Sequence, residues 1–151
     1  MISLYLIAVV QSVYYYRLLP EKVAVHYGAS GVANSWGNRQ FLVMFNLATI
    51  TVLLVLFVAI SLLVKHIPDY MINLPNKEYW LSNERRKKTL SKIQNISLAM
   101  GSATIVLLLV IIEIVYLTNI RNTSGLIISP FMPLALYIVY VIRLLNVFNK
   151  K

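Results

Sequence analysis

Few side chains in this sequence combine the type and the setting that chemistry requires. His26 is one, because histidine is the side chain that ordinarily changes charge near neutral pH and the commonest metal ligand. A metal centre needs three or four donors, and around His26 only Glu21 and Asn34 offer any, so no metal or cofactor is expected. Two readings stand for it: a histidine hydrogen-bonded within its own loop to hold the turns, or a contact for a ligand or partner. Glu113 is the other, a carboxylate inside a long apolar run. In a bilayer such a group costs at least ~2.5–3.5 kcal/mol and must be paired, protonated or wet. Glu113 lies about 8 Å from the outer end of its run and Arg143 about 8 Å from the inner end of the next, so the two differ too much in depth to pair. Arg143 reads as a snorkelling interface anchor. Glu113 is expected to face the bundle interior, against Tyr, Ser or loop donors, or to line a proton or cation path. With no Ser/His/Asp set, no paired carboxylates, no phosphate-cradling loop and no cysteine, catalysis is not expected.

The elements that must position these residues follow from composition. The 151 residues are 59% apolar and only 13% charged, with a mean hydropathy of +0.73, more apolar than a soluble domain of this size can bury. Disorder, coiled coil, collagen and disulfide scaffolds are excluded. Four apolar runs stand out: Ile2–Tyr16, extended to Leu19 with Arg17 snorkelling, then Phe41–Val64, Ile96–Thr118 and Leu126–Phe148. The last three reach about 35 Å as helices, enough to cross a ~30 Å hydrocarbon core. The first reads as a retained span and not a cleaved leader, since no Lys or Arg precedes it and no small-x-small site follows. The expected fold is a single all-α integral membrane domain over residues 1–151. It has spans at 2–19, 41–64, 96–118 and 126–148, an ordered outer loop at 20–40 and an inner loop at 65–95.

Charge sets the expected orientation. Ten of the 14 Lys and Arg residues fall in the 65–95 connection or at the C-terminal end, Lys150 and Lys151 included, and four fall in the other two connections. The positive-inside rule then gives a multi-pass protein of the cell membrane with both termini cytoplasmic. The inner segment Ser82–Asn95 reads as a helix with Ser82 as N-cap and Arg85, Lys88 and Lys92 on one face. That face suits anionic lipid or an acidic protein partner. Lys77, Tyr79 and Trp80 are expected at the headgroups. No reader motif accompanies the charge, so nucleic acid is not expected as a partner. Ser97 and Gly101 form a small-xxx-small pair suited to close helix packing.

In the outer loop, Val23, Val25 and Tyr27 alternate with Ala24 and His26 as in a strand, Gly28 and Gly31 bracket a tight turn, and Asn34–Gly37 reads as a second turn. Leu19-Pro20, Val25-His26-Tyr27-Gly28, Gly31 and Trp36-Gly37 together resemble the "LP…P.HF…G…W" signature of the bacterial membrane family called domain of unknown function 1648. Pro75-Asn76, Tyr79-Trp80 and Glu84-Arg85-Arg86 are similar to the "PN..YW…ER" block of many members. Ala24 and Tyr27 depart from the Pro and Phe common there. The resemblance extends to the first domain of the immunity protein of the sporulation-delaying toxin system, and implies an immunity or signalling role.

The expectation is a non-catalytic interaction, sensing or immunity-like protein. Its outer cap, around His26, Gly28, Gly31, Trp36 and Arg39, would meet an extracytoplasmic peptide or other factor. Its inner block, Pro75, Asn76, Tyr79, Trp80, Arg85, Arg86, Lys88 and Lys92, would meet lipid or a cytoplasmic protein. The alternative is a subunit of a small transporter or channel using Glu113. Self-association is compatible with either.

Overall fold

Apolar runs fold to helices because in a non-aqueous setting the backbone must satisfy its own hydrogen bonds, and the computed structural model, which describes residues 1–149, follows that rule. Lys150 and Lys151 lie outside the described residues. The chain runs α1 (Ile2–Leu18), β1 (Lys22–Tyr27), β2 (Ala33–Asn38), α2 (Arg39–Leu63), a one-turn α3 (Lys77–Trp80), α4 (Arg86–Ile120) and α5 (Phe131–Leu145). Among the described residues, three helical stretches are long and apolar enough to cross a membrane: Arg39–His66, Arg86–Ile120 and Phe131–Phe148. The first and last include short 3₁₀ turns after α2 and α5. α1 forms over the first apolar run, but its 17 residues reach only about 25 Å.

The helices pack on a narrow seam and leave broad apolar faces outward. Ala8 of α1, Ile50 of α2 and Ile105 and Tyr116 of α4 make the centre of the core. Leu6, Val10, Val52, Val55 and Leu136 are exposed, the disposition of side chains that face lipid. Gly101 lets α2 approach α4. A Cβ built there would stand 2.6 Å from Cγ of Phe57 and 2.8 Å from Cε of Met1. Ser97, one turn earlier, is buried as well.

Three boundaries differ from the sequence expectation. Asn34–Gly37 is not a turn but part of β2, which pairs antiparallel with β1 from Lys22 opposite Asn38 to Tyr27 opposite Ala33. Pairing overrides the turn-forming residue types; the register is irregular from Ala24 to Tyr27, and Val23 and Ala24 are both buried. Ser82 does not cap a helix: its hydroxyl donates to the Tyr79 carbonyl at 3.3 Å, and α4 begins at Arg86. From there α4 continues unbroken for 35 residues, joining the expected inner helix and third span. Residues 126–130 are not helical, because Leu126 is held in an extended pairing and α5 starts after Pro130. Pro133 then falls in the first turn of α5, where a missing N–H costs nothing.

Gly101→Ala should overpack the α2–α4 seam and cost about 1–3 kcal/mol, read as a lowered midpoint of thermal unfolding in detergent.

Candidate functional site

An isolated two-stranded hairpin is marginal in water, so what holds β1 and β2 matters. The turn is tight: the Gly31 amide donates to the Gly28 carbonyl at 2.8 Å, and Gly31 takes φ 78°, a left-handed conformation that glycine adopts without a Cβ penalty. The segment after α4 then pairs with it, the Leu126 amide donating to Gly31 O at 2.9 Å and the Ala33 amide to Ser124 O at 3.2 Å. Asn119, buried in the last turn of α4, completes the anchorage. Its Oδ1 accepts from the Ala24 amide at 2.6 Å, and its Nδ2 donates to the Ala24 carbonyl at 3.2 Å and the Tyr27 hydroxyl at 3.3 Å. Burial pushes the Tyr27 phenol above its ordinary pKa of 10, with the Asn119 hydrogen bond opposing, so it stays a neutral hydroxyl.

Beneath the hairpin, between α2, α4 and the approach to α5, lies a cleft of ≈ 510 Å³. His26, Tyr27 and Gly28 form its rim, and Asn46 adds an amide. Phe41, Phe45, Ile111, Ile114 and Leu126 make the walls apolar. His26 Nδ1 lies 2.6 Å from Asn34 Oδ1, a hydrogen bond across the hairpin. Of the five outer-cap residues singled out from sequence, His26 and Gly28 therefore meet at one cleft. Trp36 stands on the surface, 55% exposed. Gly31 serves the turn. Arg39 ties helix to helix, donating to the Leu19 carbonyl at 3.1 Å with its guanidinium 5.1 Å from the centre of the Tyr16 ring.

Glu113 faces the interior between α1 and α4. It accepts from the Tyr15 hydroxyl and, at 2.7 Å, from Gln11 Nε2, which also donates to the Leu109 carbonyl at 3.2 Å. Both donors are neutral. The one salt bridge among the described residues joins Arg86 to Asp69 at 2.8 Å, at the other end of the molecule. Arg143 is exposed on α5. Further polar contacts continue through the helix interfaces, with Asn46 donating to the Tyr116 hydroxyl at 3.4 Å and Thr51 to the Tyr5 hydroxyl at 3.2 Å.

At the lysine-rich end, Pro75 precedes Asn76, whose left-handed φ of 51° starts the single turn of α3. Trp80 is the hub there. Its Nε1 donates to the Phe148 carbonyl at 3.2 Å, its ring meets Phe148 edge to face, and its own carbonyl accepts from the Thr89 hydroxyl at 2.7 Å. Lys92 Nζ lies 4.8 Å from the centre of the Trp80 ring, and the Arg85 guanidinium 3.9 Å from that of Tyr79. Arg85 and Arg86 are thus engaged within the fold, whereas Lys87 and Lys88 are exposed.

Residues 4–52, from α1 through the hairpin into α2, match the family model described as a domain of unknown function, DUF1648. Over those residues, about a third of its length, the chain is similar to the DUF1648 family. The match takes in every outer-cap residue named above and ends before the Pro75–Arg86 block and Glu113. No curated protein and no solved structure matches. The matched segment contains Ala24 but not Asn119, one of the residues that fasten it. Sequence reasoning missed Asn119, and Gln11 likewise; the available signal was an amide at the end or in the middle of an apolar run.

Asn119→Ala should leave the Ala24 amide and carbonyl without their partner, at about 1–3 kcal/mol per buried group. Amide hydrogen exchange over residues 22–38 should quicken while that of α4 before residue 115 stays unchanged.

Proposed function

We propose that this chain, which carries a DUF1648-like segment, is a non-catalytic, multi-pass protein of the cell membrane that senses an amphipathic extracytoplasmic peptide at its hairpin end. The observation that carries this reading is the cleft under the hairpin. Apolar walls with a few polar groups at the mouth suit the insertion of an apolar side chain, and His26, Tyr27 and Asn46 offer the polar groups. Exposed Trp36 on the same hairpin gives a partner an aromatic anchor. In this reading α1 is the fourth crossing. Its exposed apolar residues and its packing on α2 and α4 support that role, and Leu19-Pro20 would lie at the interface. Both termini and residues 65–95 are cytoplasmic by the distribution of Lys and Arg. The Pro75–Arg86 block there engages headgroups or a cytoplasmic protein.

The absence of native cysteine makes orientation directly testable. Ala29→Cys should react with a membrane-impermeant maleimide in intact cells, and Ser91→Cys only after lysis; the reverse pattern would overturn the topology. Deleting the gene should raise sensitivity to a panel of envelope-active peptides several-fold, restored by the wild-type gene but not by a cleft-filling Ile114→Trp variant that still inserts. Unchanged sensitivity across the panel counts against the peptide-sensing reading.

One observation favours a second reading, a small transporter or channel subunit. Glu113 is a carboxylate inside an apolar helix whose hydrogen-bond partners among the described residues are neutral side chains, and intramembrane carboxylates mark ion and proton pathways. Glu113→Gln should then abolish proton or cation flux in liposomes loaded with the purified protein. Equal flux with the wild type removes that reading.

A further inference from the structure

The seam between α4 and α5 at the lysine-rich end carries a feature that peptide sensing does not use. An open groove of ≈ 770 Å³ runs along it. One end is cationic, with Lys87, Lys88 and Lys92 beside the Ser91 hydroxyl, and no carboxylate lines it among the described residues. The other end is apolar, made by Ile96 and Ala99 of α4 with Leu144 and Val147 on the α5 side. Positions 88, 92, 96 and 99 recur at intervals of three or four and so form one stripe down the helix. Charge therefore passes to grease along a single direction, toward the middle of the apolar run. The lysines are not merely solvated. Lys92 Nζ sits 4.8 Å from the centre of the Trp80 ring and 5.1 Å from that of Phe148, and Trp80 is itself fixed by its bond to the Phe148 carbonyl. One ammonium is thus held in place at the groove before any ligand arrives, while Lys87 and Lys88 remain exposed.

We propose that this groove is a binding site for one anionic phospholipid, its phosphate among Lys87, Lys88 and Lys92 and an acyl chain along Ile96, Ala99, Leu144 and Val147. Charge complementarity selects an anion, and the apolar end selects one that carries a hydrocarbon chain; a free phosphate would leave that end empty. Lysine suits the phosphate as a mobile point charge, and a basic pocket between membrane helices is where anionic headgroups bind. Trp80 acts as a positioning residue through Lys92. The proposal rests on the reading of α4 and α5 as membrane spans.

The test uses the full chain in detergent with equimolar phosphatidylglycerol and phosphatidylcholine, and counts retained lipids by native mass spectrometry. The wild type should retain one phosphatidylglycerol in preference to phosphatidylcholine. Lys87→Gln with Lys88→Gln should reduce that preference roughly tenfold, and Ala99→Phe, which fills the apolar end without touching charge, should reduce retention as well. Equal retention of the two lipids overturns the site. Loss on removing the lysines with no effect of Ala99→Phe overturns it too, leaving general attraction to a charged surface and the membrane reading intact. A glutamate-rich peptide that displaces the lipid, with the same dependence on the lysines, would assign the groove to a protein instead. A chain that is monodisperse without detergent and carries no lipid overturns both the site and the membrane reading.

Discussion

A side-chain amide buried in the last turn of α4 completes the attachment of the hairpin to the helical bundle. A buried strand edge must find partners for its N–H and C=O groups, and at Ala24 both are met by Asn119, which copies the pairing of a neighbouring strand. The same amide reaches the Tyr27 hydroxyl and the Val115 carbonyl of its own helix. Most of what distinguishes this end of the molecule follows: the hairpin lies over the helices, the cleft beneath it has a roof, and His26 and Gly28 stand at its rim. The pairing of Leu126 with Gly31 works in the same sense, and it draws the connection before α5 out of helical form.

The interior obeys a related economy. The bundle contains a carboxylate, several tyrosines, an asparagine and a glutamine, yet no buried side-chain polar atom among the described residues lacks a partner. In a low-dielectric setting an unmatched donor or acceptor is expensive, so these groups pair across helices. Gln11 and Tyr15 project from α1 to reach Glu113 of α4, and Asn46 of α2 reaches Tyr116. These contacts join α1 to α4 and α2 to α4, in addition to the apolar packing between the helices.

Much of this was readable beforehand, for identifiable reasons. Helix existence follows from apolar length, and each of the four runs contains a helix, the last only from Phe131 onward. The tight turn at Gly28–Gly31 follows from glycine spacing, and a Tyr beside Glu113 follows from the need to satisfy a carboxylate. Boundaries were harder, because they are decided by partners distant in sequence. Asn34–Gly37 has the composition of a turn but is captured by β1, and Leu126–Pro130 has the composition of a helix but is captured by Gly31. Ser82 has the chemistry of a cap, but its hydroxyl turns back to Tyr79. Of the site, the cleft joins His26 to α2 and α4 residues that no local pattern connects, and Arg39 proved to be a tie between helices.

The uninterrupted course of α4 has a mechanical consequence. Its 35 residues measure about 52 Å, well beyond a ~30 Å hydrocarbon core, and no proline breaks them. Asn119 at one extremity and Lys87 at the other are mounted on a single strut. Any disturbance conveyed along this strut must travel as a tilt, slide or rotation of the whole, since it has no hinge of the kind proline would supply at which one extremity could move independently of the other.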